Sequence, residues 1–198
     1  MVIIGLTGTT GAGKGEVGRI FASLGACVAD TDAIYHRLLA EDKALRRELI
    51  ETFGDITDES GAIDRRKLAP IVFSDKEKLH TLNTITHRYV LEETDRILAK
   101  ADEDGCKAGV IDAPLLYESG ADKKCSAVVG VIAPVEARCN RIMTRDGLSR
   151  EAAQTRIANQ KPDAWFVEHC DKIIRNNTTI EALRTQAQMV FEELIGKI

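Results

Sequence analysis

Near the start of the chain, Gly8-Thr9-Thr10-Gly11-Ala12-Gly13-Lys14-Gly15 sets glycines at 8, 11 and 13 ahead of a lysine. Glycines let the backbone curl so tightly that successive N–H groups point at one anion, and a lysine closing the curl adds a mobile positive charge. The phosphate-loop spacing is met at Gly8, Gly13 and Lys14 and fails at Gly15, which has no hydroxyl to offer a magnesium ion. The apolar run Val2–Leu6 predicts a strand leading into the curl. A helix predicted over Lys14–Leu24 would aim its free N–H donors and its positive dipole end at the same anion. Candidates for holding nucleotide phosphate are therefore Gly11, Ala12, Gly13, Lys14, Gly15 and Glu16. The last lies in the first helical turn, where acids are favoured, and could hold a metal-bound water.

Carboxylates end two further apolar runs: Asp30 and Asp32 follow Cys27-Val28-Ala29, and Asp112 follows Ala108-Gly109-Val110-Ile111. In an open parallel sheet, ligands sit at that edge. Phosphoryl transfer needs charge neutralised on the donor, a metal, and a group that orients or deprotonates the acceptor hydroxyl. Lys14, Asp112 and Asp32 are of the types that would supply these, with Asp112 meeting magnesium directly or through water. Set against this, one of Asp30 and Asp32 is expected merely to cap the following helix, and Asp112 has the competing reading of a loop carboxylate. Arg138, Arg141 and Arg145 fall at i, i+3 and i+7, which predicts three guanidinium groups on one helix face, either a lid closing on phosphate or a solvated surface.

The elements that must position these residues alternate between strand and helix. Helical periodicity runs from Ala33 to about Phe53, resumes after Asp64 and continues from Asp75 to Ala101, a helical insertion longer than a crossover needs. Strands are predicted at Ala108–Ile111, Ser126–Ile132 and Lys172–Ile174. Helices are predicted at Val135–Asp146, from Ser149 to about Gln160, and from Thr178 or Thr179 onward. The pattern predicts an α/β fold whose parallel sheet is covered on both faces. Length 198, 44% hydrophobic and 29% charged residues suit one domain with an inserted part, and a net charge of −4 gives no general attraction to nucleic acid or anionic membrane. Five cysteines without a C-x-x-C pair suit reduced thiols and a cytoplasmic setting, as does the lack of a basic leader or a membrane-length apolar run. A monomer or weak homo-oligomer is expected.

Several stretches, in order along nearly the whole chain, resemble the dephospho-coenzyme A kinase family. They are Gly5-Leu6-Thr7-Gly8 through Lys14, Asp30-Thr31-Asp32-Ala33, Asp64 through Ala69 with Ile71-Val72-Phe73, Leu82-Asn83 with His87, and Asp112 through Glu118. Arg141, Arg145-Asp146-Gly147-Leu148-Ser149, Arg156 with Gln160, and Asp171 through Asn176 continue the match. The resemblance implies a P-loop NTPase fold with a five-stranded parallel sheet, a CoA-binding insertion at about 33–107 and a lid at about 138–162. It implies ATP and Mg2+, and transfer of phosphate to the ribose 3′-hydroxyl of dephospho-CoA. By position, Lys14 would hold the outer phosphates, Asp32 would act as base or orienter, and Arg141 and Arg145 would clamp from the lid. Arg65, His87 and Asp112 would lie on the acceptor side, and Asn176 near the adenine. The chain departs from the family at Gly15-Glu16, where Ser-Thr is usual, and at Arg88, where proline is usual. Its Gly-Ala-Gly-Lys-Gly loop is similar to that of adenylate kinases.

Three other readings remain at this stage. Another small-metabolite or nucleotide kinase on the same fold would keep Lys14, Asp32 and the arginines. A GTPase switch would need an Asn-Lys-x-Asp guanine reader, which is absent. A binding protein without catalysis would have Gly15 as its lesion. On sequence alone His87 is more readily a packed histidine of a helix, and Trp165 is either a core anchor or a base-stacking group.

Overall fold

The computed structural model describes residues 1–196. Its elements run β1 (Val2–Gly8), α1 (Lys14–Ser23), β2 (Ala26–Asp30), α2 (Thr31–Glu41), α3 (Lys43–Phe53), α4 (Arg65–Phe73), α5 (Lys76–Glu103) and β3 (Ala108–Asp112). After a short 3-10 turn at Ala121–Lys124 come β4 (Ala127–Ile132), α6 (Val135–Asp146), α7 (Arg150–Ala158), α8 (Asp163–His169), β5 (Lys172–Arg175) and α9 (Ile180–Ile195). The five strands form one parallel sheet in the order β2-β3-β1-β4-β5. Its middle strands, β3, β1 and β4, are buried along nearly their whole length, because helices cover both faces, and their residues are apolar or small apart from Asp112 at the end of β3.

The chain divides into two compact units. One comprises Met1–Ala29 and the chain from Leu98 onward. Its core joins Ile4, Leu6, Val129 and Val131 of the sheet to Val17 and Phe21 of α1 and Leu183, Ala187 and Phe191 of α9. Phe21 and Phe191 meet at 5.2 Å between ring centroids, and burying each ring contributes about 2–3 kcal/mol. On α9 the buried stripe is Leu183, Ala187, Phe191 and Leu194, at helical spacing, while Ile180 at its start stays exposed.

The other unit, Asp30–Ile97, is helical. It buries Leu38, Leu45, Leu49, Leu68 and Val72 and ties its helices together at the surface. Arg88 donates to both carboxylate oxygens of Glu48 at 2.6 Å, Tyr89 donates to the same group at 2.9 Å, and Arg37 reaches Glu93 at 2.6 Å. Arg88, the residue in the place of the family's usual proline, therefore has a definite partner on α3.

Two elements differ from expectation. The helical run from Ala33 to Phe53 is broken at Asp42, whose carboxylate accepts the N–H groups of Ala44 and Leu45, both at 2.8 Å, and so starts α3. The apolar spacing continues across this break, and periodicity alone does not show it. Helix α8 was not anticipated either. Seven residues after Pro162 are too few for a periodic signal.

Candidate active site

Gly13 sits at φ +100°, and a Cβ there would collide with the amide of Asn176, so this position admits little but glycine. Gly11, at φ +75°, lies close enough to α6 that a Cβ would stand 2.9 Å from the carbonyl oxygen of Arg138. Packing from α6 on one side and from the end of β5 on the other thus holds the loop between β1 and α1 in shape. Asn176 is buried and donates from Nδ2 to the carbonyl of Ala12 at 2.8 Å, while its own N–H bonds Ile132. Arg141 donates from Nη1 to the carbonyls of Gly11 and Ala12 at 3.2 and 3.3 Å. With their carbonyls drawn outward, the loop residues leave N–H groups for an anion.

Lys14, the first residue of α1, forms an ion pair with Asp112 at the end of β3. The pair is largely shielded, with side-chain exposures of 19% and 6%. Leu6 is in register with Asp112, which puts the carboxylate beside the strand that feeds the loop. The two residues expected at the donor phosphates and at a metal are therefore each other's partners. Buried hydroxyls of Thr7 and Thr9, at 1% and 2% exposure, have no hydrogen-bond partner nearby. A Cβ at Gly15 would point into open space, and the residue has no left-handed backbone angle. Glu16 bonds to Arg19 one turn along α1.

The arginine stripe does not act as one face. Arg138 is 4% exposed and pairs with Asp163 of α8 at 3.5 Å, which makes it an interior residue. Arg141 is turned onto the loop carbonyls. Arg145 forms a bidentate pair with its neighbour Asp146, at 2.7 and 2.9 Å, and Arg156 of α7 joins the same carboxylate. These contacts hold Asp146 at about 2, well below its ordinary value, with the Arg145 hydrogen bonds as the main cause. Spacing on a helix gives direction but not depth. Asp163, the acidic partner of Arg138, comes from α8, whose approach the spacing does not contain.

In the helical unit, Asp30 is the cap: its carboxylate accepts the N–H groups of Asp32 and Ala33 at 3.0 and 3.1 Å. Asp32 is left exposed in the first turn of α2. Tyr35, one turn further on, shares its helix face. Burial pushes the Tyr35 phenol up, while the charge of the Arg65 guanidinium opposes the shift. His87 is half-buried on α5. Asn176, expected near the adenine, has its amide on the phosphate-loop backbone. Trp165 is a packing hub: His169 stacks on it at 4.1 Å, Tyr117 meets it edge-on at 5.0 Å, and the Lys161 ammonium lies 3.7 Å from its ring centre.

Among the described residues no group of three or more His, Cys, Asp or Glu side chains converges on a metal site, and no helix is long and apolar enough to cross a membrane. Magnesium needs fewer protein ligands than such a group, since it keeps several waters and takes one or two carboxylates with substrate phosphates. Asp112, in register with Leu6 of the strand that feeds the loop, is a carboxylate that fits that habit.

Comparison with known proteins places this arrangement. The family model for dephospho-CoA kinase matches residues 2–182. A dephospho-CoA kinase of Aquifex aeolicus is 39% identical over 192 residues, covering 96% of each chain, and one of Corynebacterium glutamicum is 36% identical over the full length of both. Among solved structures, dephospho-CoA kinase from Campylobacter jejuni superposes with a TM-score of 0.71 at 28% identity, covering 99% of this chain and 98% of that one. The five-stranded parallel sheet with its glycine-rich loop is the P-loop NTPase fold, and this chain belongs to the dephospho-CoA kinase family.

Proposed function

We propose that this protein transfers the γ-phosphoryl group of ATP to the ribose 3′-hydroxyl of dephospho-CoA, the reaction of the family to which it belongs. The observation that carries the reading on the structural side is the braced phosphate loop with Lys14 and Asp112 paired at its mouth. Incoming phosphates compete with Asp112 for the lysine ammonium. Lys14 then neutralises charge on the β- and γ-phosphates, while the loop N–H groups and the α1 N-terminus hold the rest of the triphosphate. Bound Mg2+ would supply further charge neutralisation between the β- and γ-phosphates, with Asp112 as its protein ligand, directly or through water.

In the transfer, the 3′-oxygen forms its bond to the γ-phosphorus as the bond to the β–γ bridging oxygen breaks, and ADP leaves. The hydroxyl proton passes to the Asp32 carboxylate, which orients the nucleophile before accepting it. Arg65 and His87 would line the acceptor side, with Tyr35 one turn beyond Asp32 on the same face of α2. Arg141 and Arg145 would clamp phosphate from a lid formed by about 138–162, and for Arg145 this means exchanging the Asp146 carboxylate for a phosphate. The five free thiols support a reducing, cytoplasmic setting.

ATP consumption with magnesium, measured on dephospho-CoA with AMP and adenosine as parallel acceptors and products weighed by mass spectrometry, tests the assignment. Phosphate gained by dephospho-CoA alone is the expected result, whereas transfer to AMP or adenosine would move the protein to a neighbouring kinase activity. Asp32→Asn should retain ATP affinity within about twofold and lose 10²-fold or more in kcat, in line with the loss of a general base. Near-normal turnover in that variant would remove Asp32 from its role.

A further inference from the structure

The loop between β1 and α1 is attached to the α6–α7 hairpin at two places. One is Arg141 of α6 on the carbonyls of Gly11 and Ala12. At the other, the Thr10 N–H donates to Oε1 of Gln160, at 2.7 Å. Gln160 lies just beyond α7, where its own N–H bonds the carbonyl of Ile157. It is the shortest link between the loop and the hairpin, and it comes from a side chain on an otherwise exposed surface.

The hairpin can transmit such a contact because it moves as one body. Cys139, Ile142 and Ala153 form a small buried core with Met143, Leu148 and Ile157 packed against it. Arg150 of α7 grips both oxygens of Glu136 at 2.6 Å, and Arg156 of α7 shares Asp146 with Arg145 at the end of α6. A shift of α7 therefore carries α6, and a shift of either changes what Thr10 and Gly11 can do.

We propose that Gln160 is a positioning residue for ATP, which sets the hairpin in register on the phosphate loop through the Thr10 amide. The bond fixes the peptide before Thr10, while Gly11 reverses the chain at φ +75° and the Ala12 N–H closes the turn on the Thr9 carbonyl at 3.0 Å. Without it, the first half of the loop samples other peptide orientations, and ATP must supply the ordering when it binds. Asparagine is one methylene too short to take its place. Leucine fills the same space without an acceptor, and glutamate keeps the acceptor. Because the inference rests on ATP binding at this loop, ATP affinity of the parent protein is measured first. A parent that does not bind ATP would sink the functional reading, and the comparisons below would then be moot for that separate reason.

Thr10 amide hydrogen exchange and steady-state kinetics on Gln160→Leu and Gln160→Glu provide the test. In the ligand-free parent the Thr10 amide should be protected. Gln160→Leu should exchange it at least tenfold faster, and raise KM for ATP about three- to tenfold, the range expected for one net hydrogen bond. Its kcat at saturating ATP and its KM for dephospho-CoA should stay within twofold. Gln160→Glu should restore the slow exchange, whatever its added charge does to ATP affinity. The proposal is overturned by a fast-exchanging Thr10 amide in the parent, by unchanged KM for ATP in Gln160→Leu, or by Thr10 exchange in Gln160→Glu as fast as in the leucine variant. It is likewise overturned if Gln160→Leu lowers kcat and weakens both substrates alike, as a merely structural loss would.

Discussion

Lys14 and Asp112 are separated by 97 intervening positions and meet because β1 and β3 are neighbours in the sheet. Their residue types announced phosphate and metal chemistry in the sequence, but their pairing did not, since register between non-consecutive strands is a product of the whole sheet. Gly15 is the opposite case, fully readable as a departure from the loop pattern and unexplained until its surroundings are seen. The open space around it and its ordinary helical backbone mean that a side chain would be tolerated. Gly15→Ser should therefore raise Tm by about 1–2 °C, because serine is roughly 0.5 kcal/mol better than glycine inside a helix. It should also lower the magnesium concentration needed for half-maximal activity, since the new hydroxyl is the ligand the pattern usually supplies. A fall in Tm in thermal unfolding would show that Gly15 carries a backbone constraint the geometry does not reveal.

At the scale of elements, the caps carry much of the outcome. Asp30 spends its carboxylate on two N–H groups of α2, and that assignment leaves Asp32 as the free acid of the pair. Sequence reasoning reached the statement that one of the two is a cap and stopped there, because both are good capping residues and their spacing allows either. The α6–α7 junction depends on Asp146 in a similar way. Its carboxyl lies at about 2 instead of the usual 3.8, so the pair with Arg145 and Arg156 contributes fully above about pH 4. That contribution is lost as pH falls through about 2. NMR titration of the Asp146 carboxyl carbon together with the Arg145 Nε–H should show the two signals changing in one step near pH 2, and a midpoint near 3.8 would show that the pair is not formed in solution.

For the molecule as a whole, the chain divides into a sheet unit and a helical unit, and the proposed reaction assigns ATP to the first and the acceptor to the second. The phosphate loop and its braces belong to the former, whereas Asp32, Tyr35, Arg65 and His87 belong to the latter. Leu49 is fully buried in the helical unit, and Leu49→Ala should cost about 2–5 kcal/mol. Its effect should appear as a raised KM for dephospho-CoA with ATP affinity held within twofold by calorimetry, because the residues proposed for ATP lie in the sheet unit. Equal weakening of ATP would show that the ATP site draws on the helical unit as well.

The sequence by itself determined the α/β class, the phosphate loop, the identity of the carboxylates and the family, because these depend on residue types and short spacings: continuous apolar runs for parallel strands, glycines for the curl, 3.6-residue periodicity for the helices. It also determined the long helical segment between β2 and β3. Only the tertiary structure decided which residues of a correct set act together. Burial of Arg138 against Asp163, the turn of Asn176 onto Ala12 and the bond from Thr10 to Gln160 all depend on which element approaches which, whereas the caps at Asp30 and Asp42 are local choices between conformations the sequence equally allows. Periodicity fixes the direction of a side chain on its own element. The distance to a partner far along the chain is set by packing, and packing exists only once the sheet and its covering helices have assembled.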